Sequence, residues 1–186
     1  MNSPAAARGR EVRQRLLAAA VELIPERGWT AVSTRILAER AGVTPSVVHY
    51  HFPSLSALLN EAVVGLMRQI LSYVDGVLES AETPAEAVDA MLSSVDRYTG
   101  ADPVSLLTVE AYLAATRDDQ LREQVRGLVE AFRSRFGRWL GDRGVSAPDE
   151  TAAVLVAALD GLLLHRGLET GPDPAHVSAV LRRLVQ

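Results

Sequence analysis

The residues best suited to a chemical role are concentrated in one short segment, TPSVVHYHF, at positions 44–52. At helical spacing, Val48 and Phe52 fall on one face, and hydroxyl, imidazole and phenol groups occupy the opposite face. Groups of this kind hydrogen-bond to phosphate oxygens and to base edges. The segment therefore predicts a helix that packs through one face and binds nucleic acid through the other.

A second short helix and a tight turn come directly before this segment. Ser33 can cap a helix over 34–41, and Gly42 supplies the positive φ that the turn requires. Thr44 and Pro45 then restart the chain as a helix, with a cap oxygen followed by a pre-set φ. Two short helices joined in this way are typical of a helix-turn-helix unit, whose second helix enters the major groove of DNA.

Different roles are expected for the polar and apolar members of the DNA-binding set. Hydroxyls and Arg35 suit phosphate contacts, which position the protein. Pro45 and Val47 offer only apolar contacts, for which a thymine methyl is the natural target, and Ser46 discriminates weakly between bases. The residues predicted to bind DNA are Ser33, Arg35, Thr44, Pro45, Ser46, Val47, His49 and Tyr50.

Composition excludes several other functions. The 186 residues include no Cys, which removes disulfides, thiolate nucleophiles and zinc-thiolate sites. His49 and His51 could also pack as aromatic rings or bind a metal, but no nearby carboxylate completes a metal site. No nucleophile elbow, phosphate-binding glycine loop or zinc-protease helix is present. We therefore predict no enzyme activity, no catalytic or metal-binding residue and no cofactor.

The charge distribution is uneven along the chain. The net charge is −4, but the part that ends at Glu61 has seven basic and five acidic residues, whereas the remainder has 12 and 18. This asymmetry favours a nucleic-acid-binding end and a body with another role. No basic and apolar leader begins the chain, and no apolar run approaches the ~18 residues of a membrane span, so we expect a cytoplasmic protein.

Helix signals recur along the whole chain, whereas no strand pattern stands out. Cap and proline signals at Thr83, Asp102 and Asp173, and a capping box from Ser146 to Asp149, mark helix starts. Pro25 is expected to kink or end the first helix early. The nine predicted helices are 8–27, 34–41, 45–51, 55–79, 84–99, 103–116, 119–141, 147–168 and 174–185.

The segment from Gly28 to Val63 resembles the DNA-binding region of the TetR family of bacterial transcriptional regulators. The resemblance rests on AERAGV, residues 38–43, and on the Phe52-Pro53-Ser54 ending. It implies a homodimer, usually a repressor, that releases its operator when a small molecule enters the body of the protein.

Two residues depart from the family pattern: His49 replaces the usual Tyr, and Leu55 replaces a Lys that binds phosphate. Loss of one phosphate contact lowers affinity and its salt dependence. We expect Arg8 and Arg10, in a flexible N-terminal arm, to compensate from the minor groove.

The C-terminal helices favour self-association. From Thr151 to His165 the predicted helix is apolar almost all round, which indicates burial on two sides. One side can be the protein's own core and the other a partner subunit, although the central helix of a monomeric bundle would show the same pattern. The residues predicted at the dimer interface are Val154, Leu155, Ala158, Leu162, Val177, Leu181 and Leu184.

The body also contains large, soft side chains of the kind that line apolar ligand pockets. Asp96, Glu110, Asp160 and His165 are candidates for polar groups among them, and the carboxylates would suit a cationic ligand. Each apolar side chain could equally belong to the core. The residues predicted to bind a ligand are Met67, Met91, Tyr98, Glu110, Tyr112, Phe132 and Phe136.

These observations predict an all-α, nine-helix fold in two parts. Residues 1–54 form a three-helix DNA-binding bundle, and residues 55–186 form a helical ligand-binding and dimerisation body. The predicted function is a homodimeric repressor, released from a palindromic operator by a small, largely apolar effector. The alternatives are an activator, a regulator controlled by a protein partner or, more distantly, a helical interaction protein without DNA binding.

Overall fold

The structure, a computed structural model, describes residues 4–170 and 172–186. Within these residues the fold is all-α, as predicted, and no strand is present. Short 3-10 turns precede the second helix and follow the last one, at Trp29–Ala31 and Arg182–Val185. The helices are α1 Pro4–Arg27, α2 Thr34–Ala41, α3 Pro45–His51, α4 Leu55–Ser80, α5 Pro84–Val95, α6 Pro103–Ala115, α7 Asp119–Gly141, α8 Pro148–Gly167 and α9 Pro174–Leu181.

Local capping residues explain most of the helix starts. Thr83 and Glu86 form the predicted capping box at α5: the Thr83 hydroxyl accepts from the Glu86 N–H, and the Glu86 carboxylate accepts from the Thr83 N–H. The Asp102 carboxylate accepts from the N–H of Ser105 at the start of α6. At α8 the predicted Ser146 box is wrong, because the helix begins at Pro148 and no side chain caps it.

Three other helix predictions need correction. α1 continues through Pro25 to Arg27, because a proline this close to the last turn removes only one backbone hydrogen bond. α1 also begins at Pro4, so Arg8 and Arg10 stand exposed on a helix rather than in an arm. α5 ends at Val95, four residues early, and the chain then turns towards α6.

The chain forms two compact units, each with its own core. The first contains Met1–Met67 and Leu106–Arg122, and the second contains Arg68–Ser105 and Glu123–Gln186. Helices α4, α6 and α7 contribute residues to both. The fully buried side chains of the first unit include Leu16, Leu23, Ile24, Leu37, Val48, Leu58, Val63, Leu107 and Leu121, and those of the second include Phe136, Leu140 and Leu155.

Backbone contact replaces side-chain packing at one place in the second unit. A Cβ built on Gly100, whose φ is 78°, would lie 2.1 Å from the Gly167 nitrogen, so no side chain fits there. A Cβ on Gly167 would lie 2.8 Å from the Gly100 oxygen. The loop between α5 and α6 therefore lies directly against the end of α8.

The compact units do not follow the predicted division at residues 54 and 55, and the functional boundary stays a prediction. Among the described residues, no helix has the length and hydropathy to cross a bilayer.

Candidate nucleic-acid interface

The α2–turn–α3 unit has the predicted backbone geometry. The Ser33 hydroxyl accepts a hydrogen bond from the Ile36 N–H at 3.3 Å and caps α2. Gly42 ends α2 in the left-handed region, with φ 66° and ψ 38°, and its N–H donates to the Glu39 carbonyl at 3.1 Å. The turn is therefore fixed by a side-chain cap at one end of α2 and by glycine at the other.

Helix α3 has one packed and one open face, as predicted. Val48 and Phe52 are each 2% exposed, and the Phe52 N–H donates to the Val48 carbonyl at 2.9 Å. Tyr50 is 86% exposed, and Ser46 and His49 are also exposed. The Tyr50 ring contacts the His51 ring edge to face, with 5.1 Å between the ring centroids, but most of its surface stays open to a partner.

Thr44 stands at the N-cap of α3, but its hydroxyl does not cap the helix, and this part of the prediction is wrong. The Val47 N–H donates to the Thr44 carbonyl at 3.0 Å instead. The Thr44 hydroxyl lies 2.8 Å from the Ser46 hydroxyl, within hydrogen-bond distance. The two hydroxyls therefore orient each other on the open side of α3.

Ion pairing divides the arginines of α1 and α2 into two groups. Arg40 donates to Glu22 and Glu26, which lowers the pKa of Glu26 through the hydrogen bond and the nearby positive charge. Arg13 pairs with Glu61. The arginines of α1 and α2 that make no ion pair with any described residue are Arg8, Arg10, Arg15, Arg27 and Arg35. A guanidinium group without an ion-pair partner can bind a DNA phosphate without first breaking an ion pair.

The predicted DNA-binding residues all lie on α2, α3 or their caps. Arg35 is exposed on the first turn of α2, whereas Ser33 and Val47 are half-buried and Pro45 is exposed. Leu55, the departure from the family pattern, is half-buried at the start of α4. Their contact with DNA stays a prediction.

The predicted ligand-binding residues are divided between the units and differ in burial. Met67, Glu110 and Tyr112 belong to the first unit, and the others to the second. Met91, Phe132 and Phe136 are at most 3% exposed and belong to the core of the second unit. Tyr112 is 39% exposed, and Tyr98 is half-buried. Their role in ligand binding stays a prediction.

Two of the candidate polar groups already have protein partners. The Glu110 carboxylate accepts from the Trp29 N–H at 3.0 Å. Asp96 forms an ion pair with Arg166, whose guanidinium also donates to the Val95 carbonyl at 3.0 Å. Asp160 and His165 are exposed on α8.

A shallow cleft with a cavity volume of about 20 Å³, partly open to solvent, lies within the second unit. Of the residues singled out from the sequence, it contains Asp96, Leu162 and Val177, the last two predicted at the dimer interface. Its lining residues are Leu92, Val95, Asp96, Leu162, Arg166, Pro172 and Val177.

The predicted dimer residues also divide into buried and exposed groups. Leu155 and Leu181 are buried in the second core, and Ala158, Leu162 and Val177 pack against it. Val154 is 53% exposed and Leu184 is 40% exposed.

The exposed apolar surface of α8 and α9 includes Val180, whose place on the last helix also suggests an interface, and two residues that the sequence prediction missed, Leu164 and Leu168. On α8 they continue a stripe of alternating three- and four-residue spacing, which is the pattern of a helix that packs on another helix. That spacing could have been found from the sequence. We call these residues the α8–α9 stripe: Val154, Ala157, Gly161, Leu164, Leu168, Val180 and Leu184.

Asp118, which sequence reasoning missed, joins α4 to the start of α7. Its carboxylate accepts from Asn60 at 3.0 Å, from Ser56 at 3.0 Å and from the Leu121 N–H at 2.9 Å. These bonds, with that from Asn60 the largest contribution, lower the pKa of Asp118. Contacts about 60 residues apart leave no periodic signal in a sequence.

The described residues contain no group of three or more His, Asp or Glu side chains arranged to hold a metal ion. The chemistry that the described site offers is therefore that of hydroxyl, imidazole, phenol and guanidinium groups at a protein surface.

Both the N-terminal and the C-terminal part of the chain match descriptions of known protein families. Residues 16–62 match the family description "Bacterial regulatory proteins, tetR family", and residues 82–186 match "Tetracyclin repressor-like, C-terminal domain". The HTH-type transcriptional regulator BetI of Rhizobium meliloti (strain 1021) is 30% identical over 174 residues, which cover 91% of this chain and 84% of the relative.

Solved structures share the fold. A transcriptional regulator of Streptomyces coelicolor A3(2) has a TM-score of 0.80 at 31% identity and covers 95% of this chain and 99% of its own. A transcriptional regulator of Saccharomonospora viridis, solved in complex with choline, has a TM-score of 0.76 at 21% identity. The match covers 95% of this chain and 96% of the Saccharomonospora chain. At that identity, the second comparison shows the fold alone.

Proposed function

Because the chain belongs to the TetR family of bacterial transcriptional regulators, which bind DNA through a helix-turn-helix, we propose that it is a homodimeric repressor. Two copies bind a palindromic operator, and a small, largely apolar effector releases them.

The observation that carries this proposal is the open face of α3. A helix of only seven residues is too short to be stable alone, so its packed face and the backbone hydrogen bond at its C-cap must hold it in place. Tyr50, Ser46 and His49 stay exposed on the other face. This division into anchored and open faces is what a helix needs if it is to enter the major groove as a rigid element.

The α8–α9 stripe supports self-association. Its two most exposed large side chains, Leu168 and Val154, are 66% and 53% exposed. No side chain fills the space beside the Gly161 α-carbon, which leaves room for a close approach by another helix. A two-fold axis would pack the stripe of one subunit against the same stripe of the other subunit. The two α3 helices would then be presented to half-sites ~34–36 Å apart.

Two of the candidate carboxylates already have protein partners, and this favours an apolar effector over a cationic one. Asp96 and Glu110, two of the groups that would attract a cation, already bind Arg166 and the Trp29 N–H. The Saccharomonospora viridis structure contains choline, so choline is the cation against which an apolar effector should be tested. Differential binding of the effector to two arrangements of the protein would supply the usual coupling of about 1–3 kcal/mol, or a ~5–150-fold loss of operator affinity.

Selection of bound duplexes from a random pool tests the proposal most directly. A palindromic consensus, recovered with protein that sediments as a dimer, is the expected result. A consensus without symmetry, or a monomer that binds the selected duplex, would contradict the dimeric part.

Release by an effector is a separate measurement on the selected duplex. Apolar compounds and choline are added at increasing concentration while operator binding is followed by fluorescence anisotropy. A promoter reporter then gives the sign of regulation, since reporter output that rises with bound protein would indicate an activator instead of a repressor.

A further inference from the structure

Arg13, on α1, contacts the end of α3 and the first part of α4 at the same time. Its Nη1 donates to the His51 carbonyl at 2.9 Å, and its Nη2 pairs with the Glu61 carboxylate. The centre of its guanidinium lies 4.1 Å from the centroid of the Phe52 ring. A single planar cation therefore joins three helices of the first unit.

The end of α3 is the place where this helix needs support. The last carbonyls of any helix lack partners within it, and they form the negative end of the helix dipole. Within α3 the only buried residue is Val48, and Phe52 follows as the cap residue. Arg13 binds one terminal carbonyl, places its positive charge at the negative end, and covers the cap ring.

We propose that Arg13 is a positioning residue for DNA recognition. It fixes the C-terminal end of α3, so that the face with Ser46 and Tyr50 keeps one orientation in the major groove. The inference rests on DNA reading through α3, and it assigns Arg13 no phosphate contact. Arg13 also lies before residue 16, where the match to the N-terminal family description begins.

Lysine is the informative substitution, because it keeps the charge but loses the planar fork that makes the contacts simultaneously. Arg40→Lys is the matched control. The Arg40 side chain is 32% exposed, compared with 37% for Arg13, and it also pairs with glutamates, but its hydrogen bonds go to α1 and not to α3. General weakening of the surface would affect both variants, whereas loss of α3 orientation would affect only Arg13→Lys.

The binding experiment uses the full chain, the duplex that it selects from a random pool, and an unrelated duplex, at several salt concentrations. For Arg13→Lys we expect about tenfold weaker binding to the selected duplex, which corresponds to about 1.4 kcal/mol. Binding to the unrelated duplex and the slope of log affinity against log salt should stay unchanged. Arg40→Lys should leave all of these unchanged.

Glu61→Gln gives a second test of the same arrangement. It removes the ion pair but leaves the bond to the His51 carbonyl, so we expect a smaller loss of affinity than for Arg13→Lys. The double variant should bind about as weakly as Arg13→Lys alone, because the contacts share one guanidinium.

Hydrogen exchange in the free protein provides a measurement without DNA. Exchange of the Phe52 amide, which bonds to the Val48 carbonyl, should become about tenfold faster in Arg13→Lys, while that of Leu37 in α2 stays unchanged. This measurement separates the inference from the repressor proposal, since it needs no operator.

Three outcomes would overturn the inference. A salt slope reduced by about 0.9 in Arg13→Gln, which removes the charge that Arg13→Lys keeps, with weaker binding to both duplexes, would make Arg13 a phosphate contact. Equal losses in Arg13→Lys and Arg40→Lys would indicate general destabilisation. Unchanged Phe52 exchange together with unchanged affinity would show that Arg13 has no effect on α3.

Discussion

Truncation of Leu164, in the middle of the α8–α9 stripe, should weaken self-association. Leu164 is 50% exposed in the single chain. Complete burial of a leucine is worth about 1.5–3 kcal/mol, so burial of the exposed half contributes about 1 kcal/mol. A two-fold interface contains the residue twice, and Leu164→Ala should therefore cost about 2 kcal/mol per dimer, or about 25-fold in the dissociation constant.

Leu113 on α6 provides a matched control. It is also a leucine and is 47% exposed, but it lies outside the α8–α9 stripe. Leu113→Ala should leave the dimer dissociation constant within about twofold of the original, and sedimentation equilibrium of the two variants over a range of concentrations gives both constants. Equal effects of the two substitutions, or no effect of Leu164→Ala, would refute the assignment of the stripe to self-association.

Three other substitutions test the first and second units. Tyr50→Ala should weaken binding to the selected duplex and change unfolding stability by less than about 0.5 kcal/mol, because Tyr50 is 86% exposed; anisotropy and urea unfolding check this. Phe136→Ala should destabilise the chain by about 3–5 kcal/mol in urea unfolding, because Phe136 is fully buried in the second core. Asp118→Ala should cost about 1 kcal/mol at pH 7 through loss of the cap on α7. The folded-state pKa of Asp118 is lowered, so its contribution is present above the unfolded pKa and is lost as pH falls through the folded value. The difference between Asp118→Ala and the original protein in urea unfolding should therefore shrink at pH 3.

Local signals explain why most of the fold could be predicted. The Thr83–Glu86 box and the positive φ at Gly42 depend on residues close in sequence, and both were predicted. The end of α5 was placed too late, because Asp102 holds the following loop by accepting from the Thr99 N–H at 2.8 Å. Apolar composition alone does not show that such a side chain will stop a helix.

The candidate site was less predictable where it depends on distant partners. The open face of α3 follows from helical spacing, but the bond from Arg13 to His51 joins residues 38 apart and has no periodic signal. Glu110 and Trp29 are 81 residues apart, so a carboxylate that was assigned to a ligand instead binds a backbone N–H. Hydroxyl pairing between Thr44 and Ser46 competes with capping, which residue type alone does not decide.

The contact between Gly100 and Gly167 has a mechanical consequence. Elsewhere in a protein, a small movement of one element can be absorbed when side chains between two elements change rotamer. No side chain lies between the backbones of Gly100 and Gly167, so a movement here cannot be absorbed by a change of rotamer. Any displacement of the loop that leads into α6 must therefore either move the end of α8, next to Leu168, or separate Gly100 from Gly167.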